Sequence, residues 1–175
     1  MICILGKDDF SFSNTAVTIG KFDALHVGHK ALIGKLASYK QKGLKTLVLR
    51  LDIPSEEKPV RTELDRIEIL ENMDVDVYIR LPFTEKLAGM SAESFISDFL
   101  IGRLGAKAIV VGEDFRFGRG RQGNTETLIG AGKKFGFETV TVEKVCINGQ
   151  KVSSSAVRKL LKDGEINLAE KLLGN

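Results

Sequence analysis

Hydrophobic and polar positions along the chain switch repeatedly between two periods. The β-branched and aliphatic run "NTAVTIG" reads as a buried strand ending at Gly20. From Val27 to about Gln41, Ala31, Leu32, Leu36 and Tyr39 recur near helical spacing, and Gly43 closes the segment. "LKTLVLRL" predicts a second strand. "TELDRIEILENM" predicts a helix with Thr62 as N-cap and Asp65 three residues on. "VDVYIRL" is strand-like, "SAESFISDFLIGRL" a helix capped by Ser91, and "AKAIVVG" a strand ending at Gly112. The glycine- and charge-rich loop "GEDFRFGRGRQGN" leads to a helix over "TETLIGAGKKFG" and a strand over "FETVTVEKVCI". "NGQKVSSS" holds a turn suited to a short hairpin, and two short helices follow, around "SAVRKLLKDG" and "INLAEKLLG".

Strand and helix in alternation argue for an α/β fold, a parallel sheet of about five strands with helices on both faces. Such sheets bind ligands beyond the carboxyl ends of their strands, near a topological switch point. Gly20 and Gly112 both fall at such ends. The length of 175 residues suits a single domain, expected over residues 1–175. Pro54, Pro59 and the charges between them mark an exposed loop. A net charge of +3 suits an anionic small molecule and does not argue for nucleic acid. No stretch is apolar enough to span a membrane, and "MICILGKDDF" lacks the pattern of a signal peptide. Cys3 and Cys146 lie far apart and read as reduced thiols on apolar strands, so a cytoplasmic protein is expected.

The chain has two histidines, His26 and His29, and both fall in the turn "TIGKFDALHVGH". They flank Gly28 where the first long helix should start. A helix N-terminus offers free amides and the positive end of a dipole, a ready phosphate site. Gly28 would let a phosphate approach the backbone, and the imidazoles add donors for a phosphoryl group that gains charge in the transition state. A metal site is the competing reading. With no further His and no suitable Cys, it would need carboxylates, so metal ligands stay open.

A second cluster, Ser153, Ser154 and Ser155, begins a helix that carries Arg158 on its first turns. One serine serves as a cap; three hydroxyls, free amides and an arginine suit a polyphosphate. In the third cluster, Phe115 and Phe117 are interleaved with Arg116, Arg119 and Arg121. That mixture fits single-stranded nucleic acid, or equally a planar phosphorylated small molecule.

Taken together, "TIGKFDALHVGH", "VVGEDFRFGRGRQGN" and "VSSSAVRKLLKDGEINLAEKLLG" resemble the N-terminal FMN adenylyltransferase module of bacterial bifunctional riboflavin kinase/FAD synthetase. "LPFTEKLAGMSAESFISDFL" follows the same pattern. The wider group is the nucleotidyltransferase superfamily with a His-x-Gly-His motif. The resemblance implies a Rossmann-like sheet and transfer of AMP from ATP, with Mg2+, to FMN, giving FAD and pyrophosphate. It implies catalytic roles for His26, His29, Ser154 and Arg158. It implies an ATP pocket shaped by Gly20, Lys21, Phe22, Asp23, Gly28, Val152, Ser153 and Ser155 beside them, and flavin contacts from Asp114, Phe115, Arg116 and Phe117. The partners expected are these small molecules, not nucleic acid or a membrane, with a monomer or weak oligomer as the working form.

The sequence departs from the family in three ways. The family chain continues into a riboflavin kinase barrel, which is expected to be absent here. Where the family carries a Phe-x-Pro-His-Pro segment in its flavin pocket, this chain reads "LRLDIPSEEKP". Ser155 stands for threonine and Ala24 for glycine. The second departure keeps two alternatives open: a nucleotidyltransferase with another phosphorylated acceptor, and a non-catalytic nucleotide- or flavin-binding paralogue.

Overall fold

A computed structural model describes residues 1–174. The main elements in chain order are β1 (Ile2–Leu5), β2 (Thr15–Gly20), α1 (Val27–Ala37), β3 (Lys45–Asp52), α2 (Glu63–Asn72), β4 (Val77–Pro82), α3 (Glu85–Gly89) and α4 (Ala92–Ser94). They continue with β5 (Ala106–Gly112), α5 (Thr125–Phe135), β6 (Glu138–Val142), β7 (Cys146–Ile147), β8 (Gln150–Lys151), α6 (Ser154–Lys162) and α7 (Ile166–Leu173). Six strands form one parallel sheet in the order β1-β4-β3-β2-β5-β6. The alternation of elements predicts this Rossmann-like α/β sheet, with one strand more than expected. The sixth strand is β1, which carries Cys3 as expected of an apolar strand but is not among the strands predicted for the sheet; it is four residues at the sheet edge with Ile2 55% exposed and Leu5 40% exposed. Its short, half-exposed run gives little to distinguish it from an irregular tail.

The strands are apolar on both faces because both faces are covered. On β2, Val17 and Ile19 pack toward Phe95, Phe99, Leu100 and Leu128, while Ala16 joins Ile33, Leu36 and Leu70 on the other side. Helices α1 and α2 therefore cover one face, and α5 with the segment after α4 covers the other. Each fully buried leucine or isoleucine contributes about 1.5–3 kcal/mol. Truncating Leu49, which is 0% exposed, would cost roughly 2–5 kcal/mol.

The capping expectations hold. Thr62 accepts from the Asp65 backbone and Asp65 returns the bond, a reciprocal capping box. Gly43 ends the first helical segment in the left-handed region, at φ 73°. Ser91 caps α4, accepting the Ser94 N–H at 3.0 Å. The helix then widens into a π-helical stretch, Phe95–Ile101, that turns Phe95, Ile96, Phe99 and Leu100 into the core. Asn148 and Gly149 both have positive φ and close the predicted hairpin of β7 and β8.

From β2 the chain moves through β3 and β4 to one side, then returns so that β5 and β6 lie on the other. The switch point is the β2/β5 pair, whose carboxyl ends are Gly20 and Gly112. Helices α6 and α7 sit apart from the two main clusters. Val157, Leu172 and Leu173 pack on Ala24 and Val27, so this pair is fastened to the loop after β2. Lys30 Nζ also donates to the Gly174 carbonyl at 3.0 Å. Cys3 and Cys146 are exposed free thiols on β1 and β7. No helix among the described residues is long and apolar enough to cross a membrane.

Candidate active site

The loop from Gly20 to His29 is drawn tight around aromatic rings. Phe22 and Leu25 adopt φ of 44° and 45°, although bulky side chains avoid that region, and each such residue costs about 1–3 kcal/mol. Both are buried in the α1 face of the core, which holds them there. Gly20 and Gly28 have ordinary φ; their role is space. A Cβ on Gly20 would stand 3.2 Å from the Phe22 ring, and one on Gly28 would stand 3.2 Å from the His26 ring.

His26 is the N-cap of α1, its Nδ1 accepting the His29 N–H at 3.3 Å. An accepting Nδ1 carries no proton, so the neutral ring bears its hydrogen on Nε2. The two imidazoles stack with centroids 3.8 Å apart, and the Phe22 ring lies 5.0 Å from His29. Burial pushes His26 down to about 4. Burial, reinforced by repulsion from His26, pushes His29 down to about 3. Both are thus neutral at pH 7, next to the free amides at the start of α1. Nδ1 of His29 is buried with no hydrogen-bond partner, leaving its tautomer for a ligand to set.

Asp23 lies between two arginines. Its Oδ1 accepts from Arg66 Nη2 at 3.1 Å and from the Val60 N–H at 3.2 Å. Its Oδ2 accepts from Arg158 Nη2 at 2.7 Å. The other Arg158 nitrogen, Nη1, meets Glu57 Oε2 at 2.6 Å. Ser153 is the cap of α6, accepting from the Ala156 N–H at 3.1 Å. Ser154 and Ser155 then lie on the first turn, free of the capping role.

Two cavities flank this loop. One, about 380 Å³, is the crevice at the switch point, lined by His26, Gly28, His29, Gly112, Asp114, Val152 and Ser153 together with Lys144 and Lys151. The other, about 390 Å³, is lined by Lys21, Asp23, Ser154, Ser155 and Arg158 with Arg50, Asp52 and Glu57. The start of α6 borders both. A larger cavity of about 720 Å³ lies at the opposite ends of the strands, around Met1, Lys40 and Lys45, away from the switch point.

The expected nucleotide residues lie along the loop after β2 and at the start of α6, divided between the two cavities: His26, Gly28, His29, Val152 and Ser153 line one, Lys21, Asp23, Ser154, Ser155 and Arg158 the other, and Gly20 and Phe22 line neither. His26, His29, Ser154, Ser155 and Arg158 face cavities or carry donors. Phe22 and Val152 are buried supports at 1% and 7% exposure. Of the expected flavin residues, Asp114 alone lines the histidine crevice, where it pairs with Lys144 at 2.8 Å. The hydrogen bond from Lys144 holds the Asp114 carboxyl below its ordinary value. Phe117 is 6% exposed and packs between Phe95 and Phe115, at 5.4 and 5.7 Å. Phe115 is half-buried, and Arg116 is exposed. None of these three lines either cavity beside the loop.

Sequence reasoning missed Arg66, Glu57 and Lys144. A signal for Arg66 was present: it shares the core-facing stripe of α2 with Leu70, where a charge is out of place, while Leu64 on the same helix is 77% exposed. Glu57 lies in a loop with no period to mark it, and Lys144 falls within the strand predicted over "FETVTVEKVCI", which in the structure ends at Val142 and leaves Lys144 in the loop before β7.

A family model described as FAD synthetase matches residues 9–156. Curated relatives include the bifunctional riboflavin kinase/FMN adenylyltransferase of Buchnera aphidicola subsp. Schizaphis graminum, 35% identical over 93% of this chain and 55% of its own length. The protein of the same name from Escherichia coli strain K12 is 36% identical over 91% of this chain and 54% of its own. The chain thus spans about half the length of these relatives. A crystal structure of a protein described as a macrolide-efflux protein from Streptococcus pneumoniae matches with a TM-score of 0.85 at 26% identity, over 99% of this chain and 60% of that one. A parallel sheet with a stacked histidine pair at its switch point and a family match over most of the chain agree: the chain belongs to the FAD synthetase family.

Proposed function

We propose that this chain transfers the adenylyl group of ATP to FMN. A phosphate oxygen of FMN attacks the α-phosphorus in line. The new P–O bond makes the pyrophosphate linkage of FAD, the α–β bridging bond breaks, and pyrophosphate leaves with the bonding pair. The attacking phosphate is already anionic, so no general base is required. What the protein must supply is positioning and stabilisation of charge on the phosphoryl oxygens. His26, through Nε2–H, and His29 supply neutral donors beside the α1 amides. Ser154, Ser155 and Arg158 supply further donors at the start of α6. Magnesium enters with the nucleotide, as MgATP, since this ion is commonly held by substrate phosphates and one or two carboxylates.

The observation that carries this reading is the neutral, stacked His26–His29 pair in the switch-point crevice. A flat apolar acceptor is supported by a second feature. Phe115 of the glycine-rich loop is half-buried and stacks on the buried Phe117 with centroids 5.7 Å apart, so it is the ring of that pair left accessible. Phe99 lines a cavity of about 380 Å³ with Leu81, Pro82, Leu87 and Met90. The work is assigned to this α/β unit as a monomer or weak oligomer in the cytoplasm, acting on small molecules rather than nucleic acid.

The test is incubation of the purified protein with MgATP and FMN, following FAD and pyrophosphate. Formation of both, lost in His29→Ala, is expected; no FAD above the His29→Ala background overturns the reading. A second reading keeps the chemistry and changes the acceptor. It is favoured by the stretch from Leu51 to Pro59, which holds no aromatic residue and no histidine and lines the Arg158 cavity in part. Turnover with another phosphorylated acceptor and none with FMN would select it.

A further inference from the structure

Arg66 is the one Lys, Arg, Asp or Glu among the described residues that is fully buried, at 2% exposure. Its place on α2 beside Leu70 is a core position. Stability alone does not favour a buried ion network there, since an apolar side chain of similar volume commonly serves as well. What its guanidinium touches is the loop after β2. Nε donates to the carbonyl of Phe22, the residue held at φ 44°, at 3.2 Å. Nη2 donates to Asp23 Oδ1 at 3.1 Å, and Nη1 to Glu63 Oε2 at 3.3 Å. Asp23 gives its second oxygen to Arg158 Nη2 at 2.7 Å. A continuous path of charge-assisted hydrogen bonds therefore runs from α2, under the histidine turn, to α6.

We propose that Arg66 is a positioning residue for adenylyl transfer, holding the phosphate turn and Arg158 in one register through the Phe22 carbonyl and the Asp23 carboxylate. The inference rests on the reading that Arg158 meets the nucleotide phosphates. Its physical basis is the shape of the guanidinium and the sharing of one carboxylate. Only a planar fork reaches a carbonyl, a carboxylate and a second carboxylate at once; a lysine ammonium on a flexible stem does not reproduce that geometry. With Arg66 in place, the charge of Asp23 is divided between two cations. Without it, Asp23 turns wholly to Arg158 and competes with the incoming phosphate. The loss falls on nucleotide binding, not on the acceptor.

The experiment compares Arg66→Lys, Arg66→Met, Arg158→Lys and the Arg66→Lys/Arg158→Lys pair. Melting temperatures come first, then separate titrations with a non-hydrolysable MgATP analogue and with FMN. Arg66→Met fills the volume without a charge, so it stays informative if a buried ammonium prevents folding of Arg66→Lys. In the folded variants, nucleotide affinity is expected to fall on the order of tenfold, with FMN affinity within about twofold of native. The pair is expected to bind nucleotide no more weakly than Arg158→Lys alone, because Arg66 acts through the partner of Arg158. Equal losses for nucleotide and FMN, or multiplied losses in the pair, reduce Arg66 to core packing and overturn the inference while the phosphate role of Arg158 stands. Undiminished nucleotide affinity in Arg158→Lys removes that role, and the inference with it.

Discussion

The imidazole of His26 lies nearly flat on that of His29, the planes 17° apart, while its Nδ1 accepts the backbone N–H of the same residue. One contact orients a donor and the other starts a helix, so protonation of either ring disturbs both.

That coupling predicts an acid limb in stability. In the unfolded chain both histidines take up protons from about pH 6.5 downward. In the folded chain burial delays this to about 4 for His26 and about 3 for His29. The unfolded state then binds more protons below pH 6.5, so the contribution is complete above that pH and is lost as pH falls. The slope is at most about 1.4 kcal/mol per pH unit for each histidine. Melting temperature should fall from pH 6.5 to 5, where carboxylates contribute little, and fall less in His29→Phe. Equal slopes in the two proteins would contradict the assignment.

Capping and catalysis at His26 should separate. His26→Ala removes the N-cap, a loss of about 1 kcal/mol, and the Nε2 donor. His26→Asn restores a good cap with a shorter reach. Turnover is expected to fall about a hundredfold or more in both, and melting temperature to fall only in the alanine variant. Steady-state kinetics beside calorimetry distinguish the two losses.

Glu57 presents its carboxylate to Arg158 at 2.6 Å from an otherwise exposed position. A phosphate arriving at Arg158 has to displace it. Glu57→Gln should therefore lower KM for ATP severalfold without lowering kcat, and the difference should shrink in high salt, where exposed charges are screened. A raised KM would mean that Glu57 assists the nucleotide instead.

The two phenylalanines of the glycine-rich loop should behave differently. Phe117 is buried against Phe95, so Phe117→Ala is expected to cost roughly 3–5 kcal/mol of stability. Phe115 is half-buried, and Phe115→Ala should raise KM for FMN with little change in melting temperature or in KM for ATP. Thermal melts and acceptor titrations of the two variants check this contrast.

What was legible in the sequence is what repeats or caps. The strand runs around Val17, Leu47 and Ile109 are short continuous apolar stretches between turn signals, and Thr62 with Asp65 spells out a helix start. The histidine turn was legible because two rare residues flank a glycine at a predicted strand-to-helix junction. Its internal logic was not. That Gly28 makes room for the His26 ring, or that Asp23 serves arginines from α2 and α6, depends on contacts between segments distant in sequence. Phe117 shows the same limit: an aromatic in a polar loop resembles a ligand contact until the π-helical stretch supplies Phe95 to cover it.

The edge strand has a bearing on how the chain reaches this fold. Ile2 pairs with Val77, so β1 leaves the ribosome seventy-five positions before its single partner in the sheet. Until β4 is made and docked on β3, the amides of β1 have nothing to pair with and Ile2 and Leu5 have little to cover them. The pairing of β1 is therefore non-local, and its edge of the sheet is completed only once β4 has been made. During synthesis it is a short sticky segment whose neighbours, Lys7, Asp8 and Asp9, are charged, and such charges keep a waiting edge from pairing with another chain.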